Sequence, residues 1–463
     1  MKRCGQEDES SRPTMGESFT GHESPEGWPG HMWCEGRTFV HLKRDQPRPT
    51  HMPRGPAAKS GTGFMNPAMA PARTRSVLLL QDALQNGWVN GDRPIRALDA
   101  LCATGIRVRR WRNEIAPCHQ PRLHITANDL DESALDWALA SVSSDEGIEH
   151  IAQIDDEQIQ PEFIEKNGIK FQSYDARMAM AQGSFQWIDV DPFGSPITFI
   201  DGALQALARV GVLEVTATDT AALTGSSASS GMRRYGHKGI VDLYAHDDAV
   251  RVLLGTIATR AAQLDRAIEP ILALFDGHHV RVSVLVRKSK QGADRNRELM
   301  GWRVRTKDKP YSFTTHPTPE QLEHSSGPMW MGPLWNEEIC SRMTEDTAVE
   351  TCLATSSDIE RGAALGLEWT EADQLYAERE IRRSVRHIAQ AAPLLSRDHL
   401  LLAFDELPRF ANVGSLPTME RLISALNEAG HLTARVPDLR PFIATIAPFE
   451  VVIEIMQSLQ STE

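Results

Sequence analysis

Residues 189–196 (DVDPFGSP) combine acidic, aromatic and turn-forming side chains directly after a short apolar run at residues 185–188. The run is short and apolar enough for a buried strand, and Pro192 with the glycine that follows predicts a sharp turn. In an open α/β sheet, ligands bind beyond the carboxyl ends of the strands. Asp191 and Phe193 would lie there, and a carboxylate beside an aromatic ring suits an extruded base with a reactive exocyclic amine. The same residues are also typical of an ordinary turn with a capping Asp.

A second stretch, residues 98–107 (LDALCATGIR), places small side chains directly after another strand-like run. Ala100, Ala103 and Gly105 would let a ligand approach the backbone between strand and helix, which is how nucleotide-like cofactors are held. The stretch contains one glycine, so the Gly-x-Gly-x-x-Gly pattern of dinucleotide-binding proteins is absent. These residues favour a nucleoside-containing cofactor other than NAD.

Carboxylates also follow the next two predicted strands. Asp129 stands where a carboxylate can accept hydrogen bonds from both hydroxyls of a ribose, whereas Asp131 precedes a helix and is expected mainly to cap it. Asp175 can accept from the exocyclic amine of an adenine, although a helix cap explains this residue equally well. A ribose acceptor, an adenine acceptor and a base-reactive carboxylate at three strand ends favour one shared site over three separate caps.

The elements that would position these residues alternate between strand-like and helical patterns from about residue 77. The alternation is typical of a mostly parallel sheet covered by helices on both faces. Residues 267–274 fit either a strand or a helix, and a helix, a turn at Gly430 and two short strands near the end resemble a winged-helix arrangement. The predicted strands are residues 95–98, 124–127, 169–172, 185–190, 210–216 and 280–286, and the predicted helices are 105–114, 132–143, 197–208, 240–264 and 416–429.

Length and charge suggest more than one domain and a mixed electrostatic surface. A chain of 463 residues is too long for one ordinary core, and residues 1–34 have the composition of a disordered tail. The formal charge of −13 argues weakly against nucleic acid, but residues 281–310 hold ten basic and three acidic side chains. That basic segment could follow a phosphate backbone or form a solvated face.

The cysteine and hydropathy patterns exclude several classes of protein. The six cysteines are scattered and never form a Cys-x-x-Cys pair, which indicates reduced thiols and no metal site. No run of about 18 uninterrupted apolar residues occurs, so we expect no membrane span. The polar N-terminus has no apolar signal region, and we therefore expect a cytoplasmic protein.

A series of motifs resembles the tRNA (guanine-26) N2-dimethyltransferase family, in its archaeal-like form. The series follows the family's order from about residue 35 to the C-terminus, which makes it more specific than any one motif. Unlike many members, this chain has no cysteine between residues 119 and 339 and so lacks the family's four-cysteine zinc site. The matching stretches are residues 64–67 with Arg73, and residues 98–107, 189–196, 215–221, 277–281, 327–334 and 447–450.

The resemblance implies a Rossmann-like methyltransferase domain that uses S-adenosyl-L-methionine and has a mostly parallel, seven-stranded sheet. This domain would span residues 35–288, and a smaller α+β C-terminal domain at residues 289–463 would bind tRNA. We expect a monomer without a metal. The positions that correspond to the family's cofactor-binding residues are Arg73, Arg107, Asp129, Asp175 and Ala176.

The resemblance also assigns Asp191 to the target amine and Phe193 to stacking on the guanine. The N2 amine of guanine is a poor nucleophile because its lone pair is drawn into the ring. Asp191, helped by the Pro192 carbonyl, can accept hydrogen bonds from that amine and take up a proton as the methyl group transfers. The expected product is N2,N2-dimethylguanosine, from a nucleotide extruded from its stack.

Two other interpretations stay open at this point. A related Asn/Asp-Pro-Pro-aromatic turn serves methyltransferases that act on other polynucleotides or on protein glutamine. A non-catalytic RNA-binding protein could keep the fold, although it would not need Asp129, Asp175, Asp191 and Phe193 together. The motifs at residues 327–334 and near the C-terminus favour tRNA. Neither the number of methyl groups added nor a reaction at guanine 27 follows from the sequence.

Overall fold

The computed structural model describes residues 28–44, 46–51, 63, 65–146, 159–160, 163–411, 417–438 and 440–460. Its first elements are an antiparallel hairpin of β1 (His31–Glu35) and β2 (Thr38–Leu42). The prediction of a disordered tail over residues 1–34 is therefore wrong at its end, because β1 is paired with β2 and Trp33 is buried in an apolar cluster. Residues 1–27 lie outside the described residues.

The central sheet contains nine strands, and its five central strands are parallel to one another. In chain order they are β3 (Ile95–Asp99), β4 (Leu123–Asn128), β5 (Ile159–Gln160), β6 (Phe163–Lys166), β7 (Ile169–Gln172), β8 (Phe185–Val190), β9 (Leu207–Ala217), β10 (Arg266–Asp276) and β11 (His279–Lys288). Across the sheet the order is β10-β11-β9-β8-β3-β4-β7-β6-β5. The parallel centre, β9 to β7, is flanked by antiparallel strands on both sides. The predicted Rossmann-like fold is confirmed.

The prediction of seven strands misses β5 and β6 at one edge of the sheet. β6 and β7 are joined by Asn167 and Gly168, which have φ values of 50° and 69°. Asn-Gly is the dipeptide that tight hairpin turns with two positive φ angles prefer. The charged residues Glu165 and Lys166 lie in β6 and weaken its strand-like pattern.

Helices α2 to α5 connect the parallel strands, as the alternating pattern predicts, whereas α1 precedes β3 and α6 to α8 lie between β9 and β10. The longest of them, α8, begins five residues later than predicted, after a turn in which Asp242 accepts from the backbone N–H of Tyr244. These helices are α1 (Ala70–Asn86), α2 (Ile106–Glu114), α3 (Glu132–Glu146), α4 (Ala176–Ala181), α5 (Ile197–Ala206), α6 (Thr220–Leu223), α7 (Ala228–Tyr235) and α8 (Ala245–Ala262).

The rest of the chain forms two three-stranded sheets and ten helices among the described residues. The first sheet is ordered β13-β12-β14 and the second β15-β17-β16, with β12 (Met300–Arg305), β13 (Tyr311–Thr314), β14 (Ser325–Trp330), β15 (Leu400–Ala403), β16 (Thr433–Arg435) and β17 (Phe442–Thr445). The helices are α9 (Lys290–Glu298), α10 (Pro319–Glu323), α11 (Glu337–Ser341), α12 (Glu345–Cys352), α13 (Ser356–Ala364), α14 (Glu371–Val385), α15 (Ile388–Leu395), α16 (Leu407–Ala411), α17 (Met419–Glu428) and α18 (Phe449–Gln460). Helix α17 followed by the antiparallel pair β16 and β17 has the predicted winged-helix order.

The largest apolar core does not end with the central sheet. It includes side chains of that sheet together with Met329, Trp330, Trp335 and the buried faces of α11, α14 and α15. A second core joins β15, β17, α17 and α18. Among the described residues, no helix is both long and apolar enough to cross a membrane.

Candidate active site

The side chain of Asn128 ties together three loops at the carboxyl edge of the sheet. Its amide nitrogen donates to the carbonyl oxygens of Ala100 at 3.0 Å and Tyr174 at 2.9 Å. Its amide oxygen accepts from the backbone N–H of Tyr174 at 3.2 Å. Because Asn128 is fully buried at the end of β4, it holds the loops after β3 and β7 next to each other. The carboxylates predicted after these strands therefore share one edge.

The loop after β3 lies against Asp129. The backbone N–H of Ala103 donates to Oδ2 of Asp129 at 2.8 Å, and the N–H of Asp131 donates to Oδ1 at 3.0 Å. Gly105 has a φ of 69°, and a Cβ atom there would lie 3.0 Å from Cβ of Ala138 on α3. A larger residue would therefore move the loop away from α3. Asp131 also accepts hydrogen bonds from the first turn of α3, which suits a cap.

Asp175 opens α4 and caps it. Its Oδ1 accepts from the backbone N–H of Arg177 at 2.9 Å, and both its oxygens accept from the Arg177 guanidinium at 2.9 and 2.8 Å. These hydrogen bonds lower the pKa of Asp175 below its ordinary value. Ala176 follows as the buried first residue of the helix. An adenine amine at Asp175 would share the carboxylate with Arg177.

Arg107 lies at the centre of the site, buried among three carboxylates. Its Nη2 lies 2.5 Å from Oδ2 of Asp191, and its Nε lies 3.3 Å from Oδ1 of Asp189 and 3.8 Å from Oδ2 of Asp99. The remaining nitrogen, Nη1, is buried and donates to no acceptor among the described residues. The structure thus brings together Arg107 and Asp191, two of the predicted site residues.

A second buried arginine, Arg281, contacts the same group of carboxylates. Arg281 on β11 forms a hydrogen bond and ion pair with Oδ2 of Asp189, donates to Oγ1 of Thr216 at 2.8 Å, and lies 3.1 Å from Oε2 of Glu214. Asp99 and Asp189 are direct neighbours across β3 and β8. Burial, followed by the charge of Asp189, raises the pKa of Asp99 well above its ordinary value.

The turn after β8 is fixed through its glycine. Gly194 has a φ of 82°, a backbone conformation that favours glycine. Its N–H donates to Oγ1 of Thr218 at 2.6 Å, and its carbonyl accepts from the N–H of Thr218 at 2.9 Å. Pro192 is buried, whereas Phe193 is 70% exposed. An exposed phenylalanine on a braced turn leaves one ring free to stack on a ligand.

Tyr235 on α7 contacts the same turn through Ser195. Its hydroxyl lies 3.1 Å from Oγ of Ser195 and donates to Oδ1 of Asp219 at 2.7 Å. Burial, together with the hydrogen bond to Asp219, raises the pKa of Tyr235, so the hydroxyl keeps its proton. Sequence reasoning gave no role to Asn128, Thr218 or Tyr235, although Thr218 lies within one of the matching motifs.

Arg73, the remaining predicted site residue, lies on α1. Its Nε and Nη2 each donate to Glu35 at 2.6 Å, and Nη2 also donates to the carbonyl of Asn66 at 3.0 Å. Its hydrogen bonds therefore link α1 to β1 and to the residues before α1. None of its contacts within the described parts of the chain reaches Asp129, Asp175 or Asp191.

Comparison with known proteins agrees with this architecture. A family model described as N2,N2-dimethylguanosine tRNA methyltransferase matches residues 49–457. A tRNA (guanine(26)-N(2))-dimethyltransferase of Thermococcus kodakarensis is 28% identical over 398 residues, which cover 86% of this chain and 93% of that protein. The protein of the same name from Pyrococcus furiosus is 33% identical over 285 residues, or 61% of this chain and 70% of that protein.

A solved structure shares the fold over nearly the whole chain. The complex of Trm1 from Pyrococcus horikoshii with S-adenosyl-L-methionine superimposes with a TM-score of 0.67 and 27% sequence identity, covering 92% of this chain and 99% of that one. The family match covers most of the chain, from the loop before α1 to the last helix. The chain therefore belongs to the N2,N2-dimethylguanosine tRNA methyltransferase family.

Proposed function

We propose that this protein transfers methyl groups from S-adenosyl-L-methionine to the exocyclic N2 of guanine 26 in tRNA, twice, to give N2,N2-dimethylguanosine. Membership of the family and the names of its relatives support the activity and the substrate. One structural observation supports the position of the site: a carboxylate, Asp191, and an exposed ring, Phe193, stand on one braced turn beside Arg107.

The residues at the strand ends fit the cofactor. S-adenosyl-L-methionine, when bound, supplies a methyl group on a positively charged sulfur that also bears a carboxylate-containing chain and an adenosine. A buried donor without an acceptor costs about 1–3 kcal/mol, so Nη1 of Arg107 favours an incoming carboxylate. Asp129 is assigned to the ribose hydroxyls, and Asp175 with the backbone of Ala176 to the adenine. Arg73 is assigned to the wall of the same site, behind the residues that precede α1.

Asp191 would act on the guanine amine. Its carboxylate accepts hydrogen bonds from the N2 amine and takes up one proton as the nitrogen gains a methyl group. The carbonyl of Pro192 can accept from the same amine, and Phe193 can stack on the base. Each contact orients the nitrogen, and orientation alone contributes a large part of the acceleration in transfers of this kind. After the first transfer the amine keeps one hydrogen, and once Asp191 has released its proton to solvent the carboxylate can accept from that hydrogen and serve a second transfer.

The guanine must leave its stack to reach this turn. We assign methyl transfer to residues 35–288 and tRNA binding mainly to residues 289–463, where the winged-helix order of α17, β16 and β17 suits nucleic acid. We further propose a monomer that acts in the cytoplasm. The five described cysteines are all free, as thiols are in that compartment.

The test is methylation of defined RNA. The protein would be incubated with labelled S-adenosyl-L-methionine and an unmodified tRNA transcript, and with the same transcript carrying adenine at position 26. Nuclease digestion and mass spectrometry should find dimethylated guanosine at position 26 of the first transcript and no label in the second. Label on protein glutamine or on DNA instead of guanine 26 would contradict the proposed substrate.

A further inference from the structure

The three carboxylates around Arg107 differ in their exposure and in their other contacts. Asp189 and Asp99 are 0% and 2% exposed, and Asp189 is also held by Arg281. The side chain of Asp191, by contrast, is 19% exposed and stands on a turn rather than within a strand. Of the three carboxylates around Arg107, Asp191 is the one that can exchange this partner for another.

The contact between Arg107 and Asp191 opposes the role proposed for Asp191. Its Oδ2 accepts from Nη2 of Arg107, a charge-assisted hydrogen bond, which is stronger than a bond between neutral groups. A carboxylate held in this way is a weaker acceptor for the hydrogens of an amine and a weaker base. Asp191 can therefore serve as a base only when its hydrogen bond with Arg107 has weakened.

The Nη1 nitrogen of Arg107 offers a way to weaken the hydrogen bond between Arg107 and Asp191. Nη1 is buried on the same guanidinium group, and no described acceptor meets it. A carboxylate at Nη1 would compete with Asp191 for one delocalised positive charge in a site of low dielectric, where such interactions are strong. The charge of Asp189, whose Oδ1 lies 3.3 Å from Nε, would retain the guanidinium in the site, so the group would shift toward the new anion rather than leave.

We propose that Arg107 couples the cofactor site to the guanine site. Arg107 pairs with Asp191 until the carboxylate of the cofactor binds Nη1 and draws the guanidinium away. Asp191 then becomes available to the guanine amine. The coupling rests on the proposed function, since it assumes that the cofactor's carboxylate reaches Arg107. Its consequence is that the enzyme accepts the base productively only after the cofactor is bound.

Coupling of this kind is reciprocal. If binding of a carboxylate weakens the pair of Arg107 and Asp191, removal of the negative charge at Asp191 must strengthen binding of that carboxylate. The effect should be confined to ligands that carry the amino-acid chain. S-adenosylhomocysteine and 5′-methylthioadenosine are a suitable pair, because both have a neutral sulfur and an adenosine but only the first has a carboxylate.

The experiment is calorimetric titration of both ligands into the full-length wild-type protein, Asp191→Asn and Asp219→Asn. Asp219→Asn is the matched control, since its carboxylate lies at the same edge but pairs with Arg234 and Tyr235 rather than Arg107. Asp191→Asn should bind S-adenosylhomocysteine at least about fivefold more tightly, a coupling at the low end of the usual range. Methylthioadenosine should bind all three proteins alike.

Two results would overturn the coupling: unchanged affinity of Asp191→Asn for S-adenosylhomocysteine, or equal tightening for methylthioadenosine. Asp191→Ser provides a second variant with the charge removed, and circular dichroism checks that each variant is folded. If the wild-type protein bound neither ligand, the proposed function itself would fail. The calorimetry therefore separates that failure from failure of the coupling alone.

Discussion

The carboxylates at the site differ in their environment although they lie close together in the sequence. Asp189 and Asp191 are separated by one residue, yet Asp189 is fully buried between two arginines whereas Asp191 reaches the surface. The end of β8 explains the difference, because Asp189 lies within the strand whereas Asp191 lies in the turn that begins directly after Val190. Asp189 pairs with Arg107, and Arg107 pairs with Asp191, the residue proposed to contact the substrate.

The buried residue His279 predicts a measurable pH dependence of stability. Neither ring nitrogen has a hydrogen-bond partner within the described parts of the chain, and burial lowers the pKa of His279 from 6.5 to about 3. In the unfolded chain His279 therefore takes up a proton near pH 6.5, whereas in the folded protein it stays neutral down to about pH 3. The free energy of unfolding falls as the pH drops from 6.5 towards 3. Between pH 7 and pH 5 this residue should cost about 2 kcal/mol of unfolding free energy.

Urea unfolding at pH 7, 6 and 5 would measure this contribution. In His279→Gln, the fall in unfolding free energy over that range should be smaller than in the wild type by the stated amount. His31→Gln, which changes an exposed histidine on β1, should behave as the wild type. Equal pH dependence in all three proteins would contradict the assigned environment of His279.

At the residue scale, sequence reasoning could predict which carboxylates follow the strand ends but not how the side chains pair. The placement of Asp129, Asp175 and Asp191 after strands follows from local patterns, and these strand ends do share one edge. The pair of Arg107 and Asp191 joins residues 84 positions apart, and only the register of β3 against β8 brings them together. The same holds for Arg281, predicted as part of a basic surface and found buried.

At the element scale, the turn after β8 depends on the end of β9. Thr218 both accepts from and donates to Gly194, so this two-way contact fixes the position of the turn and of Phe193. Thr218→Val should lose the hydroxyl contact, at a cost of about 1 kcal/mol in stability. Displacement of the base platform should lower the methylation rate by more than that cost implies, about tenfold or more.

Single-turnover methylation and thermal unfolding would separate the two effects. Thr259→Val is the matched control, because that hydroxyl donates to the carbonyl of Gly255 within α8, away from the turn. It should change the rate little. A Thr218→Val enzyme with the wild-type single-turnover rate would show that the turn keeps its position without this contact.

Predictions of elements succeeded where periodicity was strong and failed where special turns or distant packing decide the structure. The ambiguous residues 267–274 lie in strand β10, because pairing with β11 settles what the local pattern leaves open. Residues 337–385 form four separate helices, α11 to α14, and three of these helices follow directly after the threonine N-caps Thr344, Thr355 and Thr370. Those caps were readable. A strand at residues 37–42 follows from the sequence and corresponds to β2, whereas β1 lies in the stretch predicted as a disordered tail.

At the scale of the whole molecule, the chain is held together across the boundary predicted at residue 288. Trp335 donates to the carbonyl of Ala273 on β10 at 2.9 Å, and Cys340 donates to that of Ile271 at 3.1 Å. Arg75 on α1 donates to the carbonyl of Ser384 at 2.9 Å. The helices that follow residue 335 thus cover the edge of the central sheet.

This packing predicts the behaviour of truncated chains. A chain ending at residue 288 would expose the apolar surface that Trp330, Trp335 and their neighbours cover, and exposed patches of that size cause aggregation. A chain ending at residue 398 keeps almost all of the largest core and loses the separate second core. Size-exclusion chromatography and thermal unfolding should find the first chain aggregated and the second folded. A folded, monodisperse chain ending at residue 288 would contradict the account.

The basic segment illustrates how folding redistributes charge. Arg281 and Arg303 are buried, with Arg303 held by Asp248 and Asp242 at 2.6 and 3.0 Å. Arg287 and Lys290 lie near Glu269 and Asp265. A phosphate track along the whole of residues 281–310 is therefore wrong, because part of its charge stabilises the fold. Counting charges along a chain cannot distinguish these uses, since burial depends on distant elements.

The central claim, that the turn after β8 receives the guanine, is tested most directly with Asp191→Ala. Methylation of a tRNA transcript under single-turnover conditions and binding of the same tRNA by filter retention would be measured side by side. We predict that methylation at position 26 is lost while the tRNA affinity stays near that of the wild type. Methylation at an unchanged rate would contradict the account, because Asp191 would then not be the group that accepts the proton of the amine.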